Sequence, residues 1–123
     1  MSALPDLSPY GVDTAAGLRQ LDCDAALYRR FLSAFASDDS VARLRSALSE
    51  GDAKDAFDRA HELKGLCAQL GLSRLAACAD TLCETLRDPG DASLSRARAL
   101  LPGLLRAYRQ TLRAIALSGA QGA

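Results

Sequence analysis

The sequence predicts an all-α protein, an antiparallel up-and-down four-helix bundle preceded by a short N-terminal helix. Three observations predict it. Apolar residues make up 49% of the 123 residues, with Leu and Ala dominant, and they recur at the three- and four-residue spacing of helices. Gly and Pro are sparse inside the periodic segments, and no alternating run of Val, Ile, Thr or Tyr lasts more than a few residues, so nothing reads as a strand. The connections between periodic segments are short, which favours antiparallel neighbours.

Met1 to Tyr10 holds two prolines and two serines without any period. Together with small, polar Ser118 to Ala123 it is expected to form a loose tail, leaving residues 11–117 as one domain. Asp13 is a good N-cap for a short helix through Leu21, ended by the turn Asp22-Cys23-Asp24. Asp24 caps a second helix, on which Leu27, Phe31, Ala34 and Phe35 share one apolar face. The polar cluster Ser37-Asp38-Asp39-Ser40 kinks or breaks that helix before Val41, Leu44 and Leu48 resume the period toward Gly51, giving one bent helix or two.

Asp52 caps the next helix, whose stripe Ala56, Ala60, Leu63, Leu66, Cys67 and Leu70 stops at Gly71. Ser73 opens another, with Leu75, Ala79, Leu82 and Leu86 on its buried face, and Arg87-Asp88-Pro89-Gly90-Asp91 closes it. The last helix starts between Asp91 and Ser93 and runs to Leu117, and Pro102-Gly103 is expected to kink or restart it. One bundle can bury all these stripes, so a monomer is expected.

Charge and composition exclude several functions. Fifteen basic residues balance fifteen acidic ones, so the basic footprint of a nucleic-acid binder is missing, and the arginines of the last helix read as a solvated face. No stretch reaches the roughly 18 apolar residues of a membrane span, and the start of the chain lacks the charged-then-apolar pattern of a leader. A cytoplasmic location without membrane contact is expected. The four cysteines, Cys23, Cys67, Cys78 and Cys83, lack both CxxC spacing and companion histidines, so they read as reduced thiols, with no metal and no cofactor expected.

The chain has a single histidine, His61. At about 100° per residue, the apolar stripe of its helix lies on the side away from the imidazole, so His61 is expected to face water. Its neighbours on that face, three, four and seven positions on, are Lys64, Gly65 and Ala68. A glycine inside a helix costs about 1 kcal/mol relative to alanine. Here it clears the space over the ring, where a second protein's active site can approach. An imidazole in water offers a ring nitrogen as a nucleophile, and Lys64 is within reach of a dianion placed on that ring. The chain has no Gly-rich phosphate loop and no kinase nucleotide motif, so it is not expected to draw phosphate from ATP.

His61, Leu63, Lys64, Gly65, Cys67, Ala68, Leu70 and Gly71 follow the pattern H-x-L-K-G-x-small-small-x-apolar-G. In this the chain resembles the histidine-containing phosphotransfer (Hpt) domains of bacterial two-component phosphorelays. The stretch Gly11 to Asp38 is similar to that family's opening, a short helix leading into an apolar one. The resemblance implies a phosphocarrier that takes a phosphoryl group from a receiver-domain aspartate onto His61, at the ring nitrogen distal to the backbone, and passes it to another response-regulator receiver.

It further implies Lys64 as support for the phosphoryl charge, Gly65 and Ala68 as clearance, and Gln69 as a polar residue loosely associated with the site. Ala68 departs from the family pattern, in which glycine is common. Docking would involve Phe57, off the stripe one turn before His61, with Leu18, Leu21 and Leu27 as further candidates. The implied partners are receiver domains and a sensor or hybrid histidine kinase, with Mg²⁺ carried by the receiver. The competing reading is a helical interaction module that binds a receiver or kinase without carrying phosphate.

Overall fold

The computed structural model describes residues 4–88 and 90–119. Their regular structure is entirely helical: one turn of 3₁₀ helix at Ser8–Tyr10, then α1 (Thr14–Leu21), α2 (Ala25–Ala36), α3 (Ser40–Glu50), α4 (Ala53–Leu70), α5 (Ser73–Leu86) and α6 (Asp91–Leu117). No helix among these residues is long and apolar enough to cross a membrane.

The start signals act through the aspartates. The carboxylates of Asp13, Asp24 and Asp52 accept from the backbone N–H groups of Ala16, Leu27 and Asp55 at 3.0, 2.9 and 3.0 Å, each satisfying a donor that the first helical turn leaves unpaired. Gly51 and Gly71 close α3 and α4 in the left-handed conformation. Ser73 opens α5 as expected, with Leu72 as the cap residue before it. Pro102 neither restarts nor ends α6, which continues through it. Pro102 and Arg98, four residues earlier, are both exposed, so the missing helical hydrogen bond lies on the water side.

The helix count exceeds the expected short helix plus four, because residues 37–39 divide the second rod into α2 and α3. The Asp38 carboxylate accepts from the Ser40 N–H at 2.9 Å and starts the new helix. Both pieces pack against α4 and α6, while α4 packs against α5 and α5 against α6, closing a ring of antiparallel rods. The core runs along its centre, through Leu32, Leu44, Leu48, Leu63, Leu75, Leu82, Leu104 and Ile115.

Three expectations need correction. The buried face of α2 is Tyr28, Leu32 and Phe35, whereas Leu27 and Phe31 are each 39% exposed and Ala34 is exposed. The helix carries two apolar stripes one residue apart in phase, and the packed one is the stripe whose polar tip finds a partner. The buried Tyr28 hydroxyl donates to the Leu70 carbonyl at 2.6 Å. At the N-terminus, ordered packing starts before residue 11, since Leu7 is buried in the core. At the C-terminus, Ser118 is buried and its hydroxyl donates to the Ile115 carbonyl. The rest of the two expected tails, residues 1–3 and 120–123, and Pro89 lie outside the described residues.

α1 sits on the end of α4 through two glycines. A Cβ on Gly17 would lie 2.5 Å from the Tyr28 ring and 2.6 Å from the Leu70 carbonyl oxygen. Gly71, at φ +73°, presses so closely on the Asp13 carbonyl that no side chain fits, and its own carbonyl accepts from the Asp13 N–H at 2.7 Å. Tyr28, Gly17, Leu70 and Gly71 therefore form one knot joining α1, α2 and α4.

Burial pushes both the Tyr28 hydroxyl and the Cys67 thiol up to about 12, from ordinary values of 10.0 and 9.0. The folded chain holds these protons more tightly than the unfolded one. Their contribution to stability is thus complete below about pH 9 and is lost as pH climbs toward 12. Urea denaturation across that window should show stability falling steeply with pH. Tyr28→Phe should cost about 1–3 kcal/mol at pH 7, because it leaves the Leu70 carbonyl without its donor, and should flatten the alkaline decline. A variant as stable as the parent would show that the hydroxyl holds nothing together.

Candidate functional site

α4 is buried on one side only. Ala56, Ala60, Leu63, Cys67 and Leu70 are buried against the neighbouring helices, Leu66 is half-buried, and His61 is exposed, in keeping with the phase of the stripe. The imidazole has one aromatic neighbour. The Phe57 ring, one turn earlier, lies nearly parallel to it, with centroids 6.1 Å apart and an interplanar angle of 13°, within the range of offset aromatic pairs. Phe57 is half-buried against the core. It forms an apolar wall beside the histidine, with part of the ring still in water.

On the side of the ring toward the C-terminus of α4, bulk is missing. Gly65 and Ala68 are exposed, and a Cβ built on Gly65 would have nothing within 4 Å. Among the described residues, no packing contact requires that glycine. Gln69 is exposed two turns beyond His61, about 80° around the helix from it, and is not brought together with the ring.

Lys64 turns toward α5. Its ammonium pairs with the Asp80 carboxylate at 3.0 Å, the two side chains being 43% and 50% exposed. The hydrogen bond and the charge of Asp80 hold the Lys64 ammonium above its ordinary range. Beneath the pair lies buried Cys83, whose thiol is pushed up by burial while the Lys64 cation pulls it the other way. A second pair, Arg87–Glu84 at 3.0 Å, continues the same rim of α5. On the opposite flank of α4, half-buried Arg59 bridges Asp55 at 3.3 Å and Glu62 at 2.9 Å. Sequence reasoning missed Asp80, because its partner is on another helix and only the α4–α5 register brings the two together.

The remaining docking candidates divide. Leu18 and Leu21 on α1 are half-buried against the core, while Leu27 is exposed. Phe31, assigned from the sequence to a core face, is exposed as well, and with Leu66 and Leu70 it lines a shallow pocket of ≈ 130 Å³ between α2 and α4. The chemistry available is that of a solvated imidazole with an apolar wall on one side, open space on the other and an ammonium three residues on. Such a ring can take a group delivered by another protein, and the ammonium can help neutralise an anionic one.

A family model described as "Hpt domain" matches residues 27–115, from inside α2 to near the end of α6, including His61 and every residue of its motif. α1, with Leu18 and Leu21, lies outside the match. No curated protein and no solved structure matches the chain.

Because the site of a Gly65 methyl is empty, Gly65→Ala should raise stability by up to about 1 kcal/mol, the usual difference between these residues in a helix interior. Thermal or urea unfolding of the variant checks this. A loss of stability would mean that the glycine serves the fold after all.

Proposed function

The chain belongs to the Hpt-domain family, and from that premise we propose that it is a phosphorelay intermediate. His61 accepts a phosphoryl group from the aspartyl phosphate of one receiver domain and passes it to the aspartate of another response regulator. The observation that carries this reading is the pairing of an exposed histidine with Gly65, a helix-interior glycine for which no contact among the described residues gives a reason. Clearance over the imidazole has value only if something must approach it from outside.

In the accepting step, a lone pair on an imidazole nitrogen forms the N–P bond as the acyl O–P bond of the receiver breaks. The receiver's carboxylate leaves with the electron pair, and the other ring nitrogen keeps its proton. Onward transfer runs the same exchange in reverse on a second receiver. A loose phosphoryl-transfer transition state asks chiefly for alignment and charge neutralisation. Phe57 supports alignment by restricting the imidazole, and Lys64 supplies a cation for the phosphoryl oxygens. The receiver brings the Mg²⁺.

The exposed apolar residues Leu27 and Phe31 on α2, together with Leu66 on α4, support docking of a receiver across α2 and α4, with Leu18 and Leu21 of α1 at the margin. Exposed apolar side chains gathered in one place are a common mark of partner surfaces.

Incubation with a panel of receiver domains carrying labelled aspartyl phosphate should place acid-labile label on the parent chain and none on His61→Gln. Equal labelling of both would overturn the assignment. Unaltered receiver binding with no label on either would favour a pure interaction module. Gly65→Ala, expected to be the more stable protein, should accept phosphoryl at least several-fold more slowly, since a misplacement of about 1 Å can cost far more in alignment. An unchanged rate would remove the clearance role.

A further inference from the structure

The geometry points to Asp80 as a positioning residue that acts on phosphoryl exchange through Lys64, holding the ammonium on α5 until a dianion on His61 competes for it. The inference rests on the reading of His61 as the phosphoryl carrier. Lys64 follows His61 by three residues and so neighbours it on the helix surface, yet its cation is engaged by a carboxylate 3.0 Å away on the adjacent helix. Both side chains are about half in water, where an ion pair is weak, so the pair can open without disturbing the core. The support under it is rigid, with Cys83 and Leu82 buried on α5 and Leu63 and Cys67 buried on α4.

A phosphoryl group on the imidazole carries more negative charge than one carboxylate and offers three acceptor oxygens, so it can draw Lys64 away from Asp80. Pulling the ammonium off its carboxylate opposes phosphorylation, and the phosphorylated state is held less tightly than a free lysine would allow. Asp80 thereby keeps the carrier ready to give its cargo up. Gly65 leaves the swing unobstructed, since beyond the helix's own adjoining backbone nothing among the described residues lies within 4 Å of where its side chain would begin.

The test is the equilibrium constant for phosphoryl exchange with one aspartyl-phosphorylated receiver, measured for the parent chain, Asp80→Asn, Asp80→Glu, Lys64→Met and the Asp80→Asn/Lys64→Met double variant. Asp80→Asn should shift the equilibrium toward phosphorylated His61 by about two- to five-fold, the range an exposed ion pair commands. Asp80→Glu should return it to the parent value. In the Lys64→Met background, Asp80→Asn should change nothing, which a merely structural role would not produce. No shift in Asp80→Asn, or the same shift with Lys64 absent, would overturn the inference while leaving His61 as carrier. A parent chain that takes no phosphoryl from any receiver would instead remove the reading on which it rests.

Discussion

Burial of α4 along one side and exposure along the other is the constraint on which the rest of the structure depends. A helix of this length packed on every face would hide His61, and one packed on none would not hold a fixed position. The neighbours share the buried side unevenly. α3 and α5 make the broad contacts, α2 covers Leu66 and Leu70 near the C-terminal end and ties it down through the Tyr28–Leu70 hydrogen bond, and α1 closes that end where Gly17 meets Leu70 and Asp13 meets Gly71. What is left uncovered is the strip carrying His61, Gly65 and Ala68. The reactive face is therefore a remainder of packing, and its precision comes from the core behind it.

The parts of the fold legible in the sequence are those governed by local rules. Asp13, Asp24 and Asp52 are caps because a carboxylate three residues before a free backbone N–H reaches it whatever the tertiary context. The α5 stripe Leu75, Ala79, Leu82 and Leu86 is buried throughout, because it is the one apolar stripe on that helix. On α2 the same reasoning failed. Two stripes one residue apart are both apolar, and nothing local selects between them. The choice is made by the Leu70 carbonyl, 42 positions away in the chain. Leu7 was not legible for a related reason, since the apolar residues of its stretch stand between prolines and serines with no period to single it out.

The site divides along the same line. The exposure of His61, Gly65 and Ala68 follows from helical phase alone and was legible. Lys64 was legible as a neighbour of the histidine but not as half of an ion pair, since Asp80 is 16 positions further on, across a turn, and only the antiparallel register of α5 brings it back. Phe57 was visible as a residue off the stripe. Its near-parallel ring contact with His61 depends on side-chain rotamers, which spacing does not specify.

The glycines separate what the chain needs for itself from what it needs for others. Gly17 and Gly71 are fixed by the fold, because a methyl at either would collide with backbone or with the Tyr28 ring. Gly103, inside α6, would meet only ordinary contact with Arg106, so an internally unexplained glycine is not by itself a functional sign. Gly65 differs in its place. It stands one turn after the sole histidine, in open space, with a small residue beyond it and the nearby ammonium drawn aside onto Asp80. A module that only docked a partner would gain contact area from side chains at these positions. A helix that leaves them bare and accepts the cost in stability is better matched to a partner whose own reactive group must reach the ring.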